Sequence, residues 1–139
     1  MMRQRSGTIV CLSSGAREGT PWTAYYQGGA AYSAAKVGVH GFIRDVALEL
    51  AEHGIRSNCV SPGFTHTDMT EKAVGPELMG YLNGQFARVP MKRLVRTDEV
   101  ANAILFLASD DASAITGIDL RVDCGLTSNW FILETLPEH

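Results

Sequence analysis

The sequence predicts an α/β fold with a parallel sheet, and two observations lead to this prediction. Three short runs of β-branched and apolar residues, at 8–12, 55–61 and 118–123, are bounded by glycine, proline or polar residues, as strands usually are. Two stretches with helical periodicity separate these runs. The order strand, helix, strand, helix, strand is typical of parallel strands joined by crossover helices.

The first helix, between the first two strands, is predicted by an apolar face that repeats with the helical period. Gly54 follows the last turn of this face and is a suitable stop signal. The residues that share the face are Val39, Phe42, Ile43, Val46, Ala47 and Leu50.

The second helix is predicted to begin with Thr97 as its N-cap, and Asp98 and Glu99 then fall in the first turn, where carboxylates favour the helix dipole. The connection over residues 63–96 is long for a compact domain and holds a weakly helical piece near 77–86, so we expect a functional lid or binding segment there. The apolar face of the second helix comprises Val100, Ala103, Ile104, Leu107 and Ala108.

Length and composition favour one globular domain over residues 1–139, with residues 126–139 as a C-terminal tail. The chain has 45% hydrophobic and 19% charged residues, which is ordinary for a soluble domain. The net charge of −3 argues against a nucleic-acid-binding protein, and no apolar run approaches the roughly 20 residues that span a bilayer. We therefore expect a cytoplasmic protein that binds neither nucleic acid nor membrane.

The cysteines and histidines indicate neither a disulfide framework nor a metal site. Cys11, Cys59 and Cys124 are far apart, and no pair has the CxxC spacing. We expect them to be buried, reduced thiols. The four histidines show no ligand spacing and no accompanying carboxylate cluster.

Tyr32 and Lys36 form the first candidate for chemistry. Residues at i and i+4 share a helix face, so the phenol and the ammonium group can point into one site. A neighbouring ammonium group favours the ionised form of a phenol, and such a pair can give or take a proton near neutral pH. The spacing alone is weak, because a packed tyrosine beside a solvated lysine has the same pattern.

Polar side chains at neighbouring strand ends strengthen the interpretation. Ser13 and Ser14 close the first strand, and residues 62–67, which include Pro62, Gly63 and Thr67, follow the second. Ligands of open α/β sheets bind beyond the carboxyl ends of the strands, where a serine can donate a hydrogen bond to a carbonyl oxygen. A serine-hydrolase nucleophile at Ser14 would need Gly-x-Ser-x-Gly, and Leu12 and Ala16 occupy the glycine positions.

Taken together, these segments resemble the short-chain dehydrogenase/reductase family from about Met1 to Gly125. The ordered set consists of Gly-x-Ile-Val-x-x-Ser-Ser, Tyr-x-x-x-Lys, Arg-x-Asn-x-x-x-Pro-Gly-x-x-x-Thr, Arg93 before Asp-Glu-Val-Ala, and Gly-x-x-x-x-Val-Asp-x-Gly. The resemblance implies part of a doubly wound, Rossmann-like parallel sheet containing only the C-terminal strands and helices. It also implies an NAD- or NADP-dependent oxidoreductase acting on a small-molecule carbonyl or alcohol substrate, and a homo-oligomer.

The resemblance also implies roles for individual residues. Tyr32 would be the general acid/base, Lys36 would hold the nicotinamide ribose, and Ser14 would orient the substrate oxygen. Pro62, Gly63 and Thr67 would bind the nicotinamide side of the cofactor.

Two departures from the family pattern stand out. The segment between Ser14 and Tyr32 is longer than usual, and its aromatic residues Trp22, Tyr25 and Tyr26 are expected to line the substrate pocket. Tyr26 is rejected as the catalytic tyrosine because Ala30, not lysine, lies four residues after it.

The second departure is that no glycine-rich phosphate turn follows a strand in this sequence. The family's cofactor-binding half is therefore expected to be missing. The alternative interpretation is a truncated, inactive homologue that serves only as a subunit-binding fragment or remnant.

Overall fold

A computed structural model of the chain describes residues 1–18, 29–84 and 89–128. Its strands are β1 (Gly7–Leu12), β2 (Ile55–Pro62) and β3 (Asp119–Val122). Its α-helices are α1 (Gly29–Leu50), α2 (Asp68–Leu82) and α3 (Thr97–Ala108). The predicted strands and crossover helices are thus confirmed, with small shifts at their ends.

The three strands form one parallel sheet in the order β1-β2-β3. Gly7 is paired with Ile55 and Leu12 with Val60, so β1 and β2 run side by side over the full length of β1. Pro62 is paired with Val122 at the end of the ladder. Within the described residues, β2 therefore has a neighbour on each side, and β1 and β3 form the edges.

Helices cover both faces of the sheet. Val60 and Leu107 are fully buried in the cluster between β2 and α3, and Val10 and Leu120 pack against the same cluster. Alternate β2 residues point to the opposite face, where α1 contributes the buried side chains of Ile43 and Ala47. This two-sided burial explains why β2 reads as a nearly continuous buried strand.

Arg56 and Asn58 of β2 fix the chain between α3 and β3. The Arg56 guanidinium donates to the carbonyl oxygens of Leu107 (2.8 Å) and Ser109 (2.9 Å), which lie at the end of α3. The fully buried Asn58 side chain donates to the Ile115 carbonyl (2.9 Å) and accepts from the Ile118 amide (3.1 Å). Both residues therefore satisfy backbone groups that the helix end and the loop would otherwise leave unpaired.

Three predictions about the helices are wrong in detail. Phe42 is 55% exposed and Ala108 is exposed, so neither lies on the buried face assigned to it. Arg96, not Thr97, is the N-cap of α3, because the Glu99 carboxylate accepts the Arg96 amide (2.9 Å) and the helix begins one residue earlier.

Gly54 is left-handed (φ 67°), as a stop signal requires, and follows a 3-10 turn over Ala51–His53.

The connection after β2 contains α2, which begins earlier than predicted and is kinked. Gly75 has φ 76° and ψ 168°, a region open almost only to glycine, and Pro76 then starts the second half of the helix. The second half packs Met79 and Leu82 against Leu94, in a small cluster separate from the main core.

Candidate active site

The first half of α1 carries Tyr32 and Lys36 to the carboxyl end of β1. Lys36 Nζ donates to the Leu12 carbonyl oxygen at 3.0 Å and lies 5.7 Å from the centroid of the Tyr32 ring. The two side chains therefore share a helix face, as their spacing predicts. The Tyr32 side chain is half exposed, so its ring is open to solvent beside the end of β1.

The two serines that follow β1 have different environments. Ser13 is buried; its amide donates to the Val60 carbonyl (2.8 Å) and its hydroxyl donates to the Lys36 carbonyl (2.9 Å). Ser13 therefore joins β1 to both β2 and α1. Ser14 is half-buried, and its Oγ accepts the Ala16 amide at 3.1 Å. That contact uses one lone pair and leaves the Ser14 hydroxyl hydrogen to be donated elsewhere.

Gly63 is required by the close approach of two chain segments. A Cβ atom at this position would lie 2.8 Å from the Cα of Asp123 and 3.2 Å from its carbonyl oxygen. The end of β2 consequently lies directly against the segment that follows β3. On the other side, a Cβ at Gly15 would be 3.6 Å from the Pro62 carbonyl oxygen, so the segment after β1 also reaches this point.

Thr67 caps α2 with its side chain. Its Oγ1 accepts the Thr70 amide (3.1 Å) and lies 2.9 Å from Thr70 Oγ1. The Thr70 hydroxyl donates to the Thr65 carbonyl (3.0 Å), so in the close pair the Thr67 hydroxyl is the donor. Thr67 Oγ1 therefore keeps one lone pair with which to accept a further hydrogen bond.

Asp123, which the sequence analysis did not select for the site, organises the turn after β3. Its buried carboxylate accepts the amides of Gly125 (2.9 Å) and Thr127 (2.9 Å), and the Thr127 hydroxyl as well. Gly125 has φ 85°, and a Cβ atom there would lie 2.9 Å from the ring of Pro90. The Asp-x-Gly sequence after a strand is a turn signal that could have identified this role.

The ion pair between Arg93 and Glu99 is a second structural feature that the sequence analysis did not predict. Arg93 and the first turn of α3 are held together by this ion pair, which is partly shielded from solvent. Hydrogen bonds from Arg93 and from the Arg96 amide lower the pKa of Glu99 to about 2.

The predicted substrate-pocket residues Trp22, Tyr25 and Tyr26 lie outside the described residues, so their prediction stands untested. Among the described residues, no group of three or more histidine, cysteine, aspartate or glutamate side chains is placed to hold a metal ion. The described helices also include none that is long and apolar enough to cross a membrane.

Comparison with known proteins identifies relatives for nearly the whole chain. Residues 1–127 match the family model described as enoyl-(acyl carrier protein) reductase. The chain is 44% identical over 126 residues to the 3-oxoacyl-(acyl-carrier-protein) reductase FabG of Salmonella typhimurium, covering 91% of this chain and 48% of the relative. It is 42% identical to the corresponding reductase of Synechocystis, again over 91% of this chain and 47% of the relative.

Solved structures of related oxidoreductases also superpose on this chain. An oxidoreductase of the short-chain dehydrogenase/reductase family from Burkholderia thailandensis superposes with a TM-score of 0.78 at 35% identity, over 93% of this chain and 48% of that chain. A crystal structure described as a betaketoacyl-ACP reductase has a TM-score of 0.74 at 32% identity, over 93% of this chain and 50% of its own. The chain thus spans about half the length of the relatives that it matches.

Proposed function

The chain belongs to the short-chain dehydrogenase/reductase family, and from this premise we propose that it is the catalytic part of an NAD(P)-dependent oxidoreductase. The reaction is hydride transfer between a nicotinamide and a carbonyl or hydroxyl carbon, with Tyr32 as the general acid/base. The observation that supports this most directly is the position of Lys36. Its ammonium group lies 5.7 Å from the Tyr32 ring while it is bound to the end of β1, where α/β sheets bind their ligands.

The hydrogen-bonding capacity of the described residues fits the nicotinamide end of such a cofactor. Lys36 Nζ has three donors and uses one on the Leu12 carbonyl, so two are left for ribose hydroxyl groups. Thr67 Oγ1 has a lone pair left, which suits the amide hydrogens of a carboxamide. When bound, the nicotinamide supplies or accepts the hydride.

Ser14 and Tyr32 act on the substrate in this proposal. The Ser14 hydroxyl donates to the substrate carbonyl oxygen and holds it in place, and the Tyr32 phenol gives that oxygen its proton as the carbonyl is reduced. Pro62 and Gly63 contribute backbone shape rather than chemistry. The close contact of Gly63 with Asp123 holds the segment after β2 against the segment after β3, next to the candidate active site.

The names of the relatives suggest a substrate class to test first. Several are 3-oxoacyl-(acyl-carrier-protein) reductases, so we propose a 3-oxoacyl thioester as the carbonyl substrate. In an intact enzyme that contains this chain, the assay follows loss of NADPH or NADH absorbance with a 3-oxoacyl thioester and, as a matched control, the acyl thioester without the 3-oxo group. Reduction of the first alone supports the proposal, and equal rates with both would refute the substrate class.

The second candidate function, an inactive subunit-binding fragment, is favoured by one observation on cofactor binding. The described strands are followed by Ser-Ser-Gly, Gly-Phe-Thr and Asp-Cys-Gly, and none of these is the glycine-rich turn that places a pyrophosphate on a helix N-terminus. We therefore expect the 139-residue chain by itself not to bind a dinucleotide tightly. Titration with NADH and NADPH by fluorescence, together with light scattering, tests this. Micromolar binding by a monodisperse monomer would contradict it.

We also propose that the protein associates with further copies of itself in the cytoplasm. The outer face of α1 exposes Val37 (51%), Phe42 (55%) and Leu48 (80%), and α3 exposes Leu105 (66%). Because α1 and α3 cover opposite faces of the sheet, each helix offers its own exposed apolar side chains for association. Size-exclusion chromatography with light scattering distinguishes an assembly from a monomer, and Phe42→Lys should reduce the mass if α1 is in the contact.

A further inference from the structure

Two cysteines occupy directly opposite positions on neighbouring strands. Cys11 of β1 and Cys59 of β2 are paired in the parallel ladder. Neighbouring strands are about 4.7–4.9 Å apart, which falls within the Cα separation of about 4.4–6.8 Å that disulfides span. Residues paired in this way project their side chains from the same face of the sheet. The two side chains are therefore direct neighbours on the face covered by α1.

We propose that Cys11 and Cys59 form an oxidation site, in which a peroxide converts the two thiols into a reversible cross-strand disulfide. Both residues are thiols in this structure. The proposal concerns a covalent modification of the sheet and does not depend on the oxidoreductase activity proposed above.

The environments of the two cysteines give them different roles. Cys11 is half-buried, so a small oxidant can reach it. Cys59 is fully buried on the central strand. Cys11 is therefore the thiol that meets the peroxide, and Cys59 is the one that resolves the product.

The chemistry balances in two steps. The Cys11 sulfur attacks the peroxide and breaks the O–O bond, which gives a sulfenic acid and one water. The Cys59 sulfur then attacks the Cys11 sulfur, the S–S bond forms, and the hydroxyl group of the sulfenic acid leaves as a second water. In all, two thiols and one hydrogen peroxide give one disulfide and two waters.

The second step needs a group that takes the Cys59 proton, and Asp119 provides it. The Cys59 thiol donates to Asp119 Oδ1 at 3.2 Å, and the Ser61 hydroxyl donates to the same oxygen. Asp119 is itself paired with Cys59 in the ladder between β2 and β3, so the row Cys11, Cys59, Asp119 crosses all three strands. As the S–S bond forms, the proton passes along the existing hydrogen bond to the carboxylate and leaves with the hydroxyl group as water.

The same geometry makes the disulfide easy to reduce. Paired positions on neighbouring strands are about 4.7–4.9 Å apart, which is wider than the mean Cβ separation of about 3.8 Å in disulfides. The bond must therefore draw β1 towards β2, and such strained disulfides are the labile ones. Ser14 follows Cys11 by three residues and Pro62 follows Cys59 by three, so the distortion reaches the strand ends that carry the candidate active site.

Peptide mapping of the oxidised full chain tests the proposal. Trypsin cuts after Arg5, Arg17, Arg56, Lys72 and Arg121, which places the three cysteines on three different peptides. After treatment with stoichiometric hydrogen peroxide and alkylation of the remaining thiols, we expect a linked pair of the peptides 6–17 and 57–72. Its mass should be about 2 Da below the sum of the two, and dithiothreitol should separate the pair.

Cys124→Ser is the matched control. Cys124 is half-buried like Cys11, but the ladder gives it no cysteine partner, and burial raises the pKa of its thiol. Cys124→Ser should keep the linked pair in full yield, and Cys11→Ser should abolish it while the circular-dichroism spectrum stays unchanged. The proposal is overturned if wild-type Cys59 remains fully alkylated while Cys11 is oxidised to sulfinic acid, or if the link joins two chains instead of one.

Discussion

The guanidinium group of Arg93 and the carboxylate of Glu99 are joined by two parallel hydrogen bonds, of 2.8 Å and 2.7 Å. This fork binds the segment after α2 to the first turn of α3, and the same carboxylate also caps the Arg96 amide. One side chain thus serves both as an ion-pair partner and as the start of a helix, which suits a carboxylate near a helix N-terminus.

Replacing Glu99 by glutamine should make the free energy of unfolding depend less on pH in the acidic range. The pKa of Glu99 in the folded chain is about 2, against the usual 4.5, so its ionised form stabilises the fold above pH 4.5. That contribution is lost as the pH falls towards 2. We expect Glu99→Gln to be less stable than wild type at pH 7 and the gap between them to narrow from pH 4.5 downwards, as measured by urea unfolding. A gap independent of pH would refute this assignment.

A double-mutant cycle measures how much of the stabilisation by Glu99 depends on Arg93. In Arg93→Met, the further change Glu99→Gln should cost less stability than in wild type, because the ion pair is already lost. The residual cost reports the cap on the Arg96 amide together with the contact between Glu99 and the Arg96 guanidinium (3.4 Å). Equal costs in both backgrounds would mean that Arg93 does not stabilise Glu99.

Tyr32→Phe should remove the transferable proton and lower the turnover of an intact, active enzyme by about 10²–10⁴-fold. The ring is kept and is half exposed, so the melting temperature should stay close to that of wild type. Lys36→Met should lower turnover too, but it also removes the hydrogen bond to the Leu12 carbonyl and should therefore lower the melting temperature. Normal turnover of Tyr32→Phe would exclude Tyr32 as the acid/base.

Two glycines of α2 should respond to alanine in opposite directions. A Cβ atom at Gly75 or at Gly80 meets no heavy atom within 4 Å, so neither substitution is limited by packing. Gly75 has φ 76°, however, and Gly75→Ala should destabilise the chain by about 1–3 kcal/mol. Gly80 lies inside the helix, where alanine should stabilise by about 0.5–1 kcal/mol. Chemical denaturation of the two variants measures both values, and the same sign for both would contradict the kink.

Arg56→Met should destabilise the domain by about 1.5–3 kcal/mol, because the carbonyl groups at the end of α3 lose a charged donor. Arg44→Met, at an exposed position on α1, is the control and should change stability by less than about 0.5 kcal/mol. If both variants unfold at the same denaturant concentration, Arg56 does not secure α3.

Much of the sheet and one part of the site could be predicted from local pattern. The strands could be predicted because runs of β-branched and apolar residues bounded by turn residues are typical of strands. The shared face of Tyr32 and Lys36 follows from helix geometry alone.

The parts that were missed depend on distant partners. The carbonyl groups that Arg56 satisfies lie more than 50 residues further along the chain, so no local pattern shows that the Arg-x-Asn motif is structural. The start of α3 was displaced by one residue because the Glu99 side chain, not the Thr97 hydroxyl, determines the cap. Phe42 has the right spacing for the core, yet it is 55% exposed, because spacing alone does not tell which side chains the neighbouring elements cover.

The parallel pairing of the strands has a consequence for how the chain acquires its structure. Among the strands that the structure describes, no two neighbours are joined by a short hairpin, and Cys59 contacts Asp119 across 60 residues. Closing such long loops costs entropy before any ladder hydrogen bond compensates for it, which slows folding. β2 therefore completes its ladders only after an earlier and a later segment of the chain have both reached it, and until then its backbone N–H and C=O groups have no strand partners.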